Sequence, residues 1–349
     1  MIRVLLLIPD NPFDPTNGAA RSVRTICEML AKEPDFEVRC LAPGYEAQLR
    51  EPPRRYSTKP PMLFTSACNR GIEYFRALYR GIEYFRETDI LFTYGCTPTD
   101  RARRDQARQH GCKVVFALRN SNYKEHGLLE PMDGIITPSQ WLTDQYRKIG
   151  IESTPLPLPM NLEDVVSTSH GPYVTAINTS SAAKGHYLML TLAEEMRRRR
   201  PDIPFGFVRP SSPWVQLPSC FYVNSITFPR DIFAQTKILL VPSVYDEPGG
   251  RVAVEALLNG IPPIVSDRGA LPEVVNGAGF VVHIPKEITV ETNQPVPVEA
   301  VKPWIDVIER LWDDKVFYKD ASRVASDSAA MYRPEVLAPR YVEYFRARK

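Results

Sequence analysis

Short apolar runs recur along this chain, each bounded by polar, glycine-rich or proline-rich stretches. In the first half they fall at 4–8, 38–42, 90–93, 114–118 and 134–137. Runs this short, apolar at consecutive rather than alternating positions, predict strands buried on both faces, and the longer amphipathic stretches between them predict helices. The series opens with a strand, a long Pro/Asn/Gly loop through Gly18 and a helix over 21–31. Strand and helix patterns then alternate, as in parallel βα units of a doubly wound sheet. The ladder TPLPLPMN at 154–161 has neither a helical nor a strand period and predicts a linker. A second series follows, with strands at 173–178, 205–208, 221–224, 238–241, 263–266 and 280–283, and a helix running to Arg200 after Lys184-Gly185. The pattern predicts an α/β protein of two parallel-sheet domains, 1–161 and 162–330, followed by a terminal helix over 331–349. Open α/β sheets bind ligands beyond the carboxyl ends of their strands, so two such domains facing one another are expected to form a cleft.

The richest segment is VPSVYDEPGGRVAVEALLNGIPPIVSDRGALPE, residues 241–273. Its strand ends at Pro242, and Gly249-Gly250 opens a helix that runs to about Asn259 and is closed by Gly260. Glu247 precedes that helix and Glu255 lies about one turn inside it. The first amides of a helix have no intrahelical partner, and the positive dipole end favours an anion or sugar hydroxyls there. Glycines at that point let a ligand approach the backbone donors closely. Glu247 is placed to accept hydrogen bonds from a sugar ring, and Glu255 to accept two from a vicinal diol such as a ribose.

This segment resembles the retaining glycosyltransferases of family 4, which have the GT-B fold of two Rossmann-like domains and carry a Glu, seven residues, Glu motif followed by a Gly-x-Pro strand. Here the motif reads E-PGGRVAV-E, then NGIPPIVSDRGALPE. The resemblance implies a metal-independent transfer of a sugar from a nucleotide-diphosphate sugar to a hydroxyl acceptor, whether glycan, lipid-linked or small molecule. It implies a donor site in 162–330, an acceptor site in 1–161, and a terminal helix that crosses back to the first domain. INTSSAAKGHYLML resembles the family's donor-phosphate loop, with Lys184-Gly185 at a helix start. Relatives carry Arg six residues before this Lys, where this chain has Asn178; Arg251 or Arg119 is the candidate to compensate. Gly18 falls where relatives place glycine near the donor phosphates, although Gly-Ala-Ala stands here in place of a Gly pair. After the strand at 114–118 many relatives have His, whereas this chain has Arg119-Asn120, neither of them a good base at neutral pH. The acceptor proton then passes to the leaving phosphate, as proposed for the family. Glu247, Lys184, Arg119 and Asn120 are thus the catalytic candidates, and Gly18, Asn178, Lys184, Glu247, Gly249, Gly250, Arg251 and Glu255 the donor-binding ones. The rival functions are a non-catalytic nucleotide-sugar-binding protein and a GT-B epimerase or phosphorylase.

Composition narrows the classes further. A chain of 349 residues with 44% hydrophobic content fits two domains. A formal net charge of +2 gives no overall field for nucleic acid. The six cysteines include no C-x-x-C pair or zinc spacing, no Asp-x-Asp run stands at a strand end, and neither a metal nor a cofactor is expected. No G-x-G-x-x-G follows the first strand, which argues against a nicotinamide dehydrogenase. The N-terminal apolar run is shorter than a signal-peptide core and no run reaches membrane-spanning length, so a cytoplasmic protein is expected.

The hexapeptide GIEYFR occurs twice, at 71–76 and 81–86. Ile72, Phe75, Tyr79, Ile82 and Phe85 follow helical spacing and predict one amphipathic helix on the first sheet, or a basic, aromatic face touching membrane. Ser139 reads as a helix N-cap. His126 is a lone loop histidine with no expected catalytic part.

Overall fold

The computed structural model describes residues 1–8, 17–41, 66–69, 72–75, 82–121, 123, 129, 132–208, 221–223 and 228–349. The chain forms two compact units: residues 1–138, 145–159 and 334–349 make the first, residues 139–144 and 160–333 the second.

In the first unit eight strands form one sheet: β1 (Ile2–Leu7), β2 (Phe36–Leu41), β3 (Ser66–Asn69), β4 (Ile72–Phe75), β5 (Ile90–Thr93), β6 (Lys113–Ala117), β7 (Gly134–Thr137) and β8 (Thr154–Pro155). Their order is β3-β4-β2-β1-β5-β6-β7-β8, parallel throughout except for the antiparallel β3/β4 pair. Strands such as β1 and β5 are apolar and buried along nearly their whole length because both sheet faces are covered. The helix Gly18–Leu30 starts at Asn17, whose side chain accepts from the Ala20 amide, and buries Ala20, Val23, Ile26, Cys27 and Leu30. The helix Pro98–Gln109 starts with a capping box between Thr97 and Asp100. The terminal helix Pro334–Arg346 inserts Leu337, Tyr341, Val342, Tyr344 and Phe345 into the core of this unit, with Phe345 edge-on to Phe92 at 5.2 Å.

Two expectations are corrected here. The GIEYFR copies do not share a helix: residues 72–75 of the first form β4, and residues 82–86 of the second form the helix Ile82–Arg86. Local propensity is the same for both copies, so their neighbours decide, and pairing with β2 and β3 makes a strand of the first. Tyr79 and the rest of 76–81 lie outside the described residues. The proline ladder also contains a strand, because Thr154 and Pro155 pair with Ile136 and Thr137 of β7; proline is tolerated at this sheet edge.

The second unit has six strands, all parallel: β9 (Tyr173–Ile177), β10 (Phe205–Val208), β11 (Phe221–Val223), β12 (Thr236–Val241), β13 (Pro263–Ser266) and β14 (Phe280–Val282). The order is β11-β10-β9-β12-β13-β14. The chain winds outward from β9 to β11, returns to β12 and winds outward the other way, so the order reverses between β9 and β12. Such a switch point leaves a crevice beyond the strands' carboxyl ends. Among the described residues no helix is long and apolar enough to cross a membrane.

Phe345→Ala should lower unfolding stability by about 3–5 kcal/mol, the usual cost of deleting a fully buried aromatic side chain. Urea unfolding followed by circular dichroism would check it.

Candidate functional site

The loops that follow β9 and β12 meet at the switch point of the second unit. Beyond β9, Asn178 takes a left-handed conformation with φ 58°, and a single turn of 3-10 helix, Ala182–Lys184, leads to Gly185. Gly185 has φ 80°, and a Cβ there would run into the Pro242 carbonyl oxygen, so the position needs glycine both for its backbone and for close approach. The helix His186–Arg199 follows. The amides of Val244 and Tyr245 both donate to the Ala183 carbonyl, at 2.8 and 3.1 Å, and tie the two loops together.

Glu247 sits at the centre of this arrangement. Its Oε1 accepts from Ser243 Oγ at 2.5 Å and Lys184 Nζ at 2.6 Å, and its Oε2 accepts from Tyr245 Oη at 2.7 Å. The ammonium of Lys184 also lies 4.5 Å from the centroid of the Tyr245 ring. Burial, reinforced by the neighbouring Glu247 carboxylate, pushes the Tyr245 phenol well above its ordinary pKa, so it remains a donor at any working pH. The Glu247 side chain is 11% exposed and that of Lys184 35%, so the carboxylate is enclosed while the ammonium stays within reach of solvent. The backbone of Glu247 is held from the β13 side. Ala270 N donates to the Glu247 carbonyl at 2.7 Å, and Gly269, at φ 62°, packs so closely on the Glu247 backbone that a Cβ would not fit.

Gly249 and Gly250 are both buried, and the helix that follows runs from Arg251 to Leu258. Gly250 is its N-cap, with φ 48°, and a Cβ there would press on Leu271. This gives Gly250 a packing role besides the one read from the sequence. Arg251 Nε donates to Glu255 Oε1 at 3.0 Å, and the two side chains are 12% and 6% exposed.

The second unit thus brings together Lys184 with Glu247, and Arg251 with Glu255. Gly18, Arg119 and Asn120 belong to the first unit. Gly18 is the first residue of its helix, directly after the Asn17 cap. Arg119 lies two residues beyond β6. Its three guanidinium nitrogens are buried without a hydrogen-bond partner, the Tyr341 phenol acts on them electrostatically, and burial lowers the pKa of the group. Asn120 is exposed, and its carbonyl accepts from Tyr146 Oη at 2.9 Å. His126 lies outside the described residues.

Sequence reasoning missed Ser243 and Tyr245. Their signal was present, a hydroxyl four and two residues before Glu247 in PSVYDE, but nothing in the spacing says that all three side chains turn the same way. It also missed Glu273, whose carboxylate accepts from the amides of Gln140 and Trp141 at 2.8 and 2.7 Å and so caps the helix Gln140–Arg147. Ser139 caps the same helix, accepting from Leu142 N at 3.1 Å, and donates to the Pro248 carbonyl at 2.7 Å. Among the described residues no group of three metal-ligating side chains gathers.

Residues 16–158 match the family Glycosyltransferase Family 4, and residues 220–291 match the family Glycosyl transferases group 1. The sucrose-phosphate synthase of Thermosynechococcus elongatus superimposes with a TM-score of 0.71 over 99% of both chains at 15% identity. The chain has the GT-B fold, and its two matched segments are similar to glycosyltransferases of family 4 and group 1. A second GT-B structure, Anabaena HepE in complex with UDP-glucose, superimposes with a TM-score of 0.68 over 99% of this chain and 100% of that one, at 14% identity. Spore coat protein SA of Bacillus subtilis is 25% identical over 137 residues, a match covering 33% of this chain and 36% of that protein.

Gly185→Ala should cost at least ~2 kcal/mol, from left-handed strain and the collision with Pro242 together. Thermal unfolding would register the loss.

Proposed function

We propose that this protein transfers a sugar from a nucleoside-diphosphate sugar to a hydroxyl acceptor, with retention of configuration at the anomeric carbon and without a metal ion. The observation that carries the proposal is the meeting of Lys184 and Glu247 on the two loops that flank the β9/β12 switch point, where parallel sheets take nucleotide ligands. The group 1 family match spans Glu247 and Glu255, and HepE, of the same fold, is described with UDP-glucose bound. In this proposal the second unit holds the donor and the first presents the acceptor.

The sugar–phosphate bond breaks with oxocarbenium character, the acceptor oxygen bonds to the anomeric carbon, and the acceptor proton passes to a departing phosphate oxygen. Negative charge grows on the diphosphate as this happens. Lys184 and the amides at the start of the helix Arg251–Leu258 meet that charge, the kind of preorganised stabilisation worth roughly 3 kcal/mol per donor. Glu247 orients the sugar hydroxyls and Glu255 the ribose. Lys184 is paired with Glu247. The arriving diphosphate therefore competes with an internal carboxylate for the ammonium, while Ser243 and Tyr245 keep Glu247 in place once Lys184 turns away.

That competition makes the two substitutions differ in kind. Lys184→Ala should weaken UDP binding by about 1.5–3 kcal/mol, the range of a charge-assisted hydrogen bond, and reduce transfer with it. Glu247→Gln should abolish most transfer yet bind UDP as tightly as the parent or more tightly, because the lysine is released. Calorimetry with UDP, beside a transfer assay on UDP-glucose and other nucleotide sugars, tests both. Weaker UDP binding in Glu247→Gln would refute the competition, and unchanged binding in Lys184→Ala would remove this loop from the donor site.

Transfer should also persist in EDTA, since cationic side chains and backbone amides meet the diphosphate charge. Activity lost on chelation and restored by magnesium or manganese would overturn the metal-independent reading.

A further inference from the structure

The arginines of the first unit are in general answered by an acceptor. Arg3 pairs with Asp89, Arg108 with Asp133 and Arg346 with Asp35, and even the deeply buried Arg104 donates to the Gly95 carbonyl. Arg119 is different. Its Nε, Nη1 and Nη2 are all buried, and none has a hydrogen-bond partner. The groups acting on it are the phenols of Tyr341 and Tyr123, with no carboxylate among them. Tyr341 cannot neutralise it, since its hydroxyl hydrogen is directed at the carbonyls of Leu156 and Pro157. A guanidinium is not deprotonated in proteins, so this is a buried positive charge without a counter-charge, an arrangement that is costly unless an anion completes it.

The position of Arg119 points to a ligand as that anion. It stands two residues past the carboxyl end of β6, which lies beside β5, and β5 and β1 flank the reversal of strand order in this sheet. The backbone here is fixed, because Tyr146 Oη donates to the Asn120 carbonyl at 2.9 Å and accepts from Tyr123 N at 3.1 Å. Asn120 follows, exposed, with a side chain able to hydrogen-bond a hydroxyl or an oxyanion. The planar fork of a guanidinium matches an anion that offers two oxygens at once.

We propose that Arg119 binds an oxyanion, phosphate or carboxylate, carried by the acceptor. The word acceptor rests on the function proposed above, in which the donor diphosphate is met by groups of the second unit, whereas the oxyanion site stands on Arg119 alone.

The test titrates the full-length protein with inorganic phosphate, and separately with acetate, in saturating UDP so that any diphosphate site is already filled. Calorimetry and thermal unfolding are read for the parent and for Arg119→Met. The parent should bind phosphate or acetate saturably, and Arg119→Met should lose at least tenfold in affinity while binding UDP unchanged. In chloride buffer without either probe, Arg119→Met should melt at or above the parent temperature, because an uncompensated charge has been replaced by an apolar chain of similar length. Equal phosphate binding by parent and variant, no saturable binding of either probe by the parent, or a variant that melts well below the parent or fails to fold would each overturn the proposal. If UDP does not bind the parent, the donor reading fails; the same titrations in the Lys184→Ala background, compared with and without Arg119→Met, still decide the oxyanion site.

Discussion

Everything at the candidate site depends on holding one nearly enclosed carboxylate, that of Glu247, in place. An enclosed carboxylate loses much of its hydration, and the loss is tolerated only if donors replace the water. Ser243, Tyr245 and Lys184 do so from three directions. Two of these donors are neutral and lie on the loop that carries Glu247. The third is a charged group from the loop after β9, so the carboxylate joins two loops that are 63 residues apart in sequence. Sequence distance of this kind is closed by the sheet, whose strand order sets β9 against β12.

The glycines of the region follow from the same constraint. For Lys184 to reach Glu247, the turn after it must lie directly on Pro242, and Gly185 is the residue that permits this. For the Glu247 backbone to stay in place, the β13 loop must press against it, and Gly269 permits that contact. Substituting either would disturb the carboxylate and its hydrogen bonds through the backbone. The phenol of Tyr245 adds stiffness: it donates to the carboxylate at its tip and faces the lysine ammonium with its ring, so it constrains both members of the pair.

The fold was legible in the sequence to the extent that burial is two-sided. Strands such as β5, β7 and β10 match the apolar runs at 90–93, 134–137 and 205–208 residue for residue, because a strand covered on both faces must be apolar throughout. The β8 strand could not be read, being two residues long and proline-containing, with its identity resting wholly on pairing with β7. GIEYFR marks the limit most clearly, since one hexapeptide is a strand where it pairs and a helix where it does not. At the site, the sequence singled out Lys184 and Glu247, because charge beside glycine at a strand end is a one-dimensional signal. Ser243, Tyr245 and the bare guanidinium of Arg119 were not legible as such. Their significance depends on the direction of a side chain out of an irregular loop and on what does or does not lie opposite it.

Asn178 shows how backbone and charge are connected. The resemblance to family 4 leads one to expect arginine at this position, yet the residue has a left-handed φ of 58°. Asparagine tolerates that conformation, whereas most L-residues are strained there by ~1–2 kcal/mol. Arginine could not simply be restored, because part of its added attraction for a diphosphate would be spent on the turn. Of the remaining cations on these loops, Arg251 is engaged with Glu255 inside its own helix. Lys184 is left, and it already has a partner in Glu247. In the function proposed above, donor affinity is therefore set by a difference, the attraction of one ammonium for a diphosphate less its attraction for Glu247, and both groups on which that difference depends are carried by the switch-point loops themselves.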